Sequence, residues 1–189
     1  MSVHAIDKIK EKFGAAVTET HSRLGDDTAR VAREQWLAVA RYARDELGFD
    51  MFVDLSAVDY LKREEGLPRF EVVLHLRSMS SGKRVRLKAR VPESDPGIDS
   101  LVTVWKGANW FERECHEMYG IKFKGHPDLR PLLLYPEFKG YPLRKDYPID
   151  KRQPRIPLLA SEERRFPRAM DETPHGHDPR FSDEEKKNS

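Results

Sequence analysis

Cysteine is almost absent from this 189-residue chain, which has only Cys115. A single thiol cannot close an internal disulfide, form a CxxC pair or hold an iron–sulfur cluster alone. A reducing, cytoplasmic-type setting is therefore expected. No run approaches the roughly 18 apolar residues of a membrane span. The charged N-terminal stretch MSVHAIDKIKEKFG has no apolar signal core. Neither GxGxxG nor a Walker A string occurs, so no phosphate cradle is written in the chain. His116-Glu117 begins like HExxH, but Met118, Tyr119 and Gly120 follow and the second histidine is missing. An excess of one charge is also lacking. There are 34 basic and 32 acidic residues, net +2, unlike the large basic surplus of a dedicated nucleic-acid binder.

What is present is charge, at 35% of residues, together with 13 prolines. Length fits one domain plus a tail. Ile6, Ile9 and Phe13 space a short helix that stops at Gly14. Val17–His21 and Arg30–Ala32 suggest short strands around Gly25-Asp26-Asp27. From Arg33 to Leu47, Trp36, Ala40, Ala43 and Leu47 mark one helical face, with Gly48 as its stop. Phe49–Val58 reads as a strand. RFEVVLHL and RVRLKARV alternate on either side of SMSSG and read as a hairpin. One face of that hairpin is apolar; the other carries Arg84, Arg86, Lys88 and Arg90. That basic face fits a solvated sheet, an acidic partner or a nucleic-acid backbone, but no aromatic residue interleaves it as a stacking platform. Ile98–Trp105 suggests a short helix. Past Asp150, prolines and charges dominate, as in a tail unable to bury a core alone. His175-Gly176-His177 is read as part of that polar tail.

Residues 109–147 are the most specific stretch. Residues 108–119 form an amphipathic helix ended by Gly120. On a helical wheel Trp110, Glu114, Met118, Phe111, Cys115, Ala108 and Tyr119 share one half. Glu112, His116, Asn109, Arg113 and Glu117 share the other. Glu114 is thus a carboxylate inside an apolar arc. Its expected role is a buried anchor paired with Arg130, Arg144 or Lys145, in this chain or in a neighbour; the alternative is a boundary residue whose carboxylate reaches solvent. Arg113 and Glu117 are spaced to pair at i, i+4. Cys115 falls on the apolar side, where free thiols are inert. Cys115 and His116 point about 100° apart and cannot easily share an ion. Gly125-His126-Pro127-Asp128 reads as a turn, and 140–148 as an extended contact run rich in Arg, Tyr and Pro.

These residues carry a family resemblance. Glu112-Arg113-Glu114, Glu117, Gly120-Ile121, Phe123, Gly125-His126-Pro127, Asp128-Leu129-Arg130 and Pro142-Leu143-Arg144-Lys145-Asp146-Tyr147-Pro148 resemble the signature of the C subunit of bacterial NADH-quinone oxidoreductase, respiratory complex I. Upstream, Ala57-Val58-Asp59-Tyr60, the two hairpin strands and Ser100 to Asn109 are similar too. Glu117 stands where the family most often has Asp, Pro131 where a basic residue is common, and Tyr141 where His or Phe is frequent.

The resemblance implies an α+β fold: a compact two-layer domain of helices packed on a mainly antiparallel sheet, followed by an extended C-terminal arm. It divides the chain into a globular domain (1–124), a partner-docking segment (125–150) and a polar tail (151–189). It also implies a non-catalytic structural subunit of the peripheral arm, on the cytoplasmic side of the inner membrane. The whole complex passes electrons from NADH through FMN and Fe–S clusters to quinone and pumps protons. The cofactors are expected in partner subunits, with none on this chain. The D subunit, which holds the quinone site, and the B subunit are the expected neighbours, and no catalytic or metal-binding residue is expected here. The expected docking residues are Glu112, Arg113, Glu114, Glu117, Gly120, Gly125, His126, Pro127, Arg130, Pro142, Leu143, Arg144, Lys145 and Asp146. Two alternatives stand beside this reading. One is the equivalent subunit of a related membrane-bound hydrogenase or F420H2 dehydrogenase. The other is a nucleic-acid-binding module using the Arg84–Arg90 face.

Overall fold

A computed structural model describes residues 3–63 and 66–154. The order of elements is helix α1 (Val3–Phe13), strands β1 (Val17–Arg23) and β2 (Asp26–Val31), helix α2 (Trp36–Asp45), strands β3 (Met51–Asp59), β4 (Phe70–Arg77), β5 (Arg84–Val91) and β6 (Gly97–Asp99), helix α3 (Ala108–Tyr119) and strand β7 (Lys122–Lys124). Five strands form one sheet in the order β1-β2-β5-β4-β3. All neighbours are antiparallel except β2 and β5. The fold is α+β, two layers deep, with helices against one face of the sheet.

Strict alternation explains that face. In β5, Val85, Leu87, Ala89 and Val91 are buried between more exposed cations. In β4, Phe70, Val72, Leu74 and Leu76 point the same way, and each is completely buried. Trp36, Val39, Ala40 and Ala43 of α2 and Ile9 of α1 complete the core. Seven large apolar side chains, each worth about 1.5–3 kcal/mol on burial, together with Ala89, make this hairpin a major source of hydrophobic stability. The helix predicted from Arg33 begins with a 3-10 turn over Arg33–Gln35 and becomes α-helical at Trp36.

Ile98–Trp105 is not a helix. Gly97–Asp99 is a strand that pairs in parallel with Lys122–Lys124, and turns follow it. Ile98 and Phe123 are buried side by side in that register, and Leu101 turns into the core. This small sheet fixes the loop at Ser100 beside α3 and the chain's exit from α3, which together frame the signature residues.

Candidate functional site

α3 is held on two sides. One side meets β3, where Phe111 packs on Phe52 with ring centroids 5.3 Å apart. On that side the buried Cys115 thiol faces the Leu55 carbonyl, Sγ to O 3.7 Å. Burial pushes the Cys115 thiol up, as expected of an inert core cysteine. The other side is covered by residues 130–144, which return over the helix in turns.

This two-sided cover rotates the helix away from the wheel's expectation. Trp110 is 66% exposed, and Glu114 is exposed with no ion pair among the described residues. The predicted pairing of Glu114 with Arg130, Arg144 or Lys145 does not occur within the chain. Arg130 instead pairs with Asp128 at 3.0 Å. The buried carboxylates are Glu112 and Glu117, from the half expected to face water. Polar groups decide this. The backbone on both sides of α3 offers N–H donors, and Glu112 and Glu117 are the carboxylates that accept from them.

Glu112 is completely buried. It accepts from Ser100 Oγ and from the Leu101 N–H, both at 2.6 Å. Burial pushes its carboxyl up to about 7, although these two donors oppose the shift. Glu117 caps a different loop. Its two oxygens accept the backbone N–H groups of Leu132, Leu133 and Leu134 at 2.9–3.1 Å. The predicted Arg113–Glu117 pair is absent as well. Arg113 donates to the carbonyls of Arg130 and Pro131, at 3.0 and 2.8 Å. Arg113 and Glu117, one turn apart, therefore hold the same loop by its acceptors and its donors. His126 fixes the entry to that loop. Its Nδ1 accepts from the Asp128 N–H, so Nε2 carries the proton and donates to Asn109 O at 3.2 Å.

The second half of the signature is fastened elsewhere, by Asp59 at the end of β3. Arg69 grips Asp59 through two parallel bonds, Nε to Oδ1 2.9 Å and Nη2 to Oδ2 2.7 Å. Asp59 Oδ2 also accepts the Lys145 N–H at 2.8 Å. Arg69 then reaches Asp146 and Glu93, each at 2.6 Å. Burial disfavours charge on Asp59, but the bonds from Arg69, Lys145 N and Leu61 N outweigh it. They hold the Asp59 carboxyl below its ordinary value. The hydrogen bond from Arg69 lowers Asp146 in the same way.

Arg144 lies between the two anchor points. Its Nε donates to Tyr119 O at 2.7 Å, and its guanidinium stacks over Tyr141 and Phe70. Gly120 makes room for it. The residue has φ +79°, and a Cβ there would stand 2.6 Å from Arg144 Nη2 and 2.7 Å from Tyr141 Cζ. The glycine that ends α3 is thus also the floor of the Arg144 site. Of the remaining signature residues, Gly125, Pro127 and Leu143 are exposed, Pro142 is half-buried, and Lys145 contributes its backbone.

Residues 130–147 are thus bound to the domain by side chains on α3, β3 and the β3–β4 connection. Asp59, Arg69 and Ser100 lie in stretches that carry the resemblance, but nothing in a local pattern marks their roles. Their partners stand 86 positions away for Asp59 and Lys145, and 77 for Arg69 and Asp146.

Metal ligation finds no support in this arrangement. His116 Nδ1 meets Ile121 O at 2.8 Å and His126 meets Asn109 O. Among the described residues, no group of three or more His, Cys, Asp or Glu could hold an ion. Most of the basic sheet face is engaged with acids of the same chain. Glu71, completely buried, collects Arg30 at 2.7 Å and Lys88 and Arg90 at 3.2 Å, and Arg86 pairs with Asp26 at 3.0 Å. Burial works against charge on Glu71, but these cations outweigh it and hold its carboxyl low. Arg30, Lys88 and Arg90, engaged with the buried Glu71, are poorly placed to take a nucleic-acid backbone.

A family model described as the 30 Kd subunit of respiratory-chain NADH dehydrogenase matches residues 29–153. The chain belongs to this family. The matched span contains every residue of the clasp just described. The chain is 43% identical over 145 residues to the C subunit of the NADH-quinone oxidoreductase of Geobacter sulfurreducens, covering 77% of this chain and 88% of that one. It is 43% identical over 143 residues to that of Sinorhizobium medicae, covering 75% and 69%. Among solved structures it is similar to the trypsin-resistant fragment of Nqo5, with TM-score 0.60 and 28% identity over 67% of this chain and 97% of that one. A chain of the membrane-bound sulfane sulfur reductase, an archaeal respiratory membrane complex, shares the fold at TM-score 0.66 and 23% identity, covering 78% of this chain and 86% of that one. As a member of the 30 Kd family, the chain is a subunit of a larger redox complex. No described helix is long and apolar enough to cross a membrane.

Proposed function

We propose that this chain is a structural subunit of the peripheral arm of a proton-pumping NADH:quinone oxidoreductase, and that its surface, not its chemistry, serves the complex. The observation that carries this reading is how the signature is spent. Arg113, Glu117, Gly120, Arg144 and Asp146 hold the returning segment in one conformation. A rigid, Pro-rich segment with fixed backbone is suited to present a docking surface, because its ordering entropy is lost on folding rather than on binding. Electron transfer is assigned to FMN and Fe–S clusters in other subunits, with no cofactor on this chain. The quinone-site D subunit and the B subunit are the partners assigned to the surface around residues 125–150, on the cytoplasmic side of the inner membrane. Catalytic residues are not assigned to this chain.

Isolation of the complex from membranes tests the reading. The chain is expected to co-purify with NADH:quinone activity, and deletion of 125–148 to abolish its incorporation. The purified chain is expected to bind neither flavin nor iron. A chain that is absent from the active complex, or that carries flavin when pure, overturns the reading.

A further inference from the structure

α3 carries three glutamates, and the fold uses two. Glu112 binds the Ser100–Leu101 backbone and Glu117 binds residues 132–134. Glu114 is exposed and has no hydrogen-bond or ion-pair partner among the described residues. Its neighbours on the helix surface are Trp110 and Met118, each four residues away and about 5–6 Å distant between Cβ atoms. The Trp110 indole is 66% exposed. The Met118 carbonyl accepts the Leu143 N–H at 3.2 Å, which brings the exposed Leu143 to the end of the stripe. The arrangement is a line of apolar side chains with one uncommitted anion at its centre.

We propose that this stripe docks an arginine presented by another subunit, its guanidinium lying on the Trp110 face and bonded to Glu114. Apolar side chains flanking that arginine close over Met118 and Leu143. The proposal rests on the reading of the chain as a subunit of a larger complex. A wholly apolar partner would bury Glu114 without a counter-ion, which strongly disfavours binding. A lysine would satisfy the carboxylate as a point charge, whereas a planar guanidinium satisfies the carboxylate and stacks on the indole together. Tryptophan and arginine are among the residue types that dominate interface energies. A second copy of this chain fits poorly. The nearby Arg113 guanidinium is already bonded to two carbonyls, so an isologous contact would set anion against anion.

The test uses the full chain in the assembled complex. Trp110→Ala, Glu114→Gln and Glu114→Lys are introduced, and the chain retained in the detergent-solubilised complex is quantified across a salt series. The melting temperature of each isolated variant serves as the folding control. Glu114→Lys is expected to lower retention by about tenfold or more and Trp110→Ala comparably. Glu114→Gln is expected to fall between, and all three isolated chains to melt as the parent does. A benzophenone amino acid at Met118 is expected to crosslink to another subunit at a segment containing arginine. Retention equal to the parent in all three variants overturns the proposal, as does loss that tracks a falling melting temperature. A crosslink to residues 155–189 of this chain, to a second copy, or to a segment without arginine also overturns it. If the unsubstituted chain itself stays out of the complex, the subunit reading has failed instead, so the two failures are distinct.

Discussion

The backbone N–H of Lys145 donates to the carboxylate of Asp59 at 2.8 Å, joining positions 86 residues apart. The same carboxylate is held in a two-bond grip by Arg69. The end of the third strand thus carries the attachment point for the C-terminal part of the signature. Asp59→Ala removes the acceptor and leaves the nearly buried Arg69 with only its more exposed partners. Loss of about 3 kcal/mol is expected in urea unfolding. Limited proteolysis at Arg144 and Lys145 is expected to accelerate, while Asp59→Asn loses less. Unchanged cleavage there in Asp59→Ala would show that the segment is held by other contacts.

Glu117 offers a second test. Three consecutive N–H groups share its two oxygens. Glu117→Ala leaves them without an acceptor, at a cost of about 2–3 kcal/mol. Hydrogen exchange at Leu132, Leu133 and Leu134 is expected to rise by about tenfold or more, an opening change of roughly 1.4 kcal/mol. Exchange in the β4–β5 hairpin is expected to stay near the parent value, because none of its ladder bonds depend on Glu117.

Gly120 and Gly125 separate space from backbone conformation. Both have positive φ, +79° and +82°, but a Cβ at Gly125 would meet nothing within 4 Å. Gly125→Ala is expected to cost about 1 kcal/mol, the usual left-handed penalty. Gly120→Ala adds a collision with Arg144 and Tyr141 and is expected to cost about 3 kcal/mol, as overpacking does. In a double-mutant cycle, Tyr141→Ala should return part of the difference. Equal costs for the two glycine substitutions would show that Arg144 and Tyr141 move aside freely.

Stability should depend on pH from both sides. The Glu112 carboxyl is raised in the folded state from an ordinary 4.5 to about 7. Its contribution is complete below pH 4.5 and is lost as pH rises through about 7. From about pH 5 to about pH 8 the chain is expected to lose roughly 3 kcal/mol from this group. Glu112→Gln should flatten that slope. Asp59 and Asp146 are held below their ordinary 3.8. Their contribution is present above that value and is lost as pH falls through the lowered one. Urea titrations from about pH 3 to about pH 9 on the parent and on Glu112→Gln check both signs. A parallel slope in the two proteins between about pH 5 and about pH 7 would show that Glu112 is not the group responsible.

What the sequence revealed depended on how far each contact reached. The hairpin of β4 and β5 was readable because its period of two runs the length of each strand, with partners close by. The faces of α1 and α2 were readable because each buries one stripe. Strand β6 was not, since Gly97-Ile98-Asp99 holds a single apolar side chain and its partner Phe123 lies beyond α3. The orientation of α3 was misjudged because a wheel assumes one buried side, and this helix has two. Glu112 and Glu117 are buried by the backbone donors they satisfy, and no hydropathy pattern registers a backbone donor. Several signature residues meet one another or the returning segment in the fold, while their partners Asp59, Arg69 and Ser100 could be assigned only in three dimensions.

The fastening of residues 130–147 also sets an order of events during synthesis. Its receptors, Asp59, Arg69, Arg113, Glu117 and the Tyr119 carbonyl, all precede the groups they bind. When the segment is translated, the strands and helix that receive it have already been synthesised. A chain truncated at Tyr119 therefore has every receptor and none of the groups that engage them. The clasp works as a completion signal: the surface it displays exists only on a chain that has been translated through Asp146.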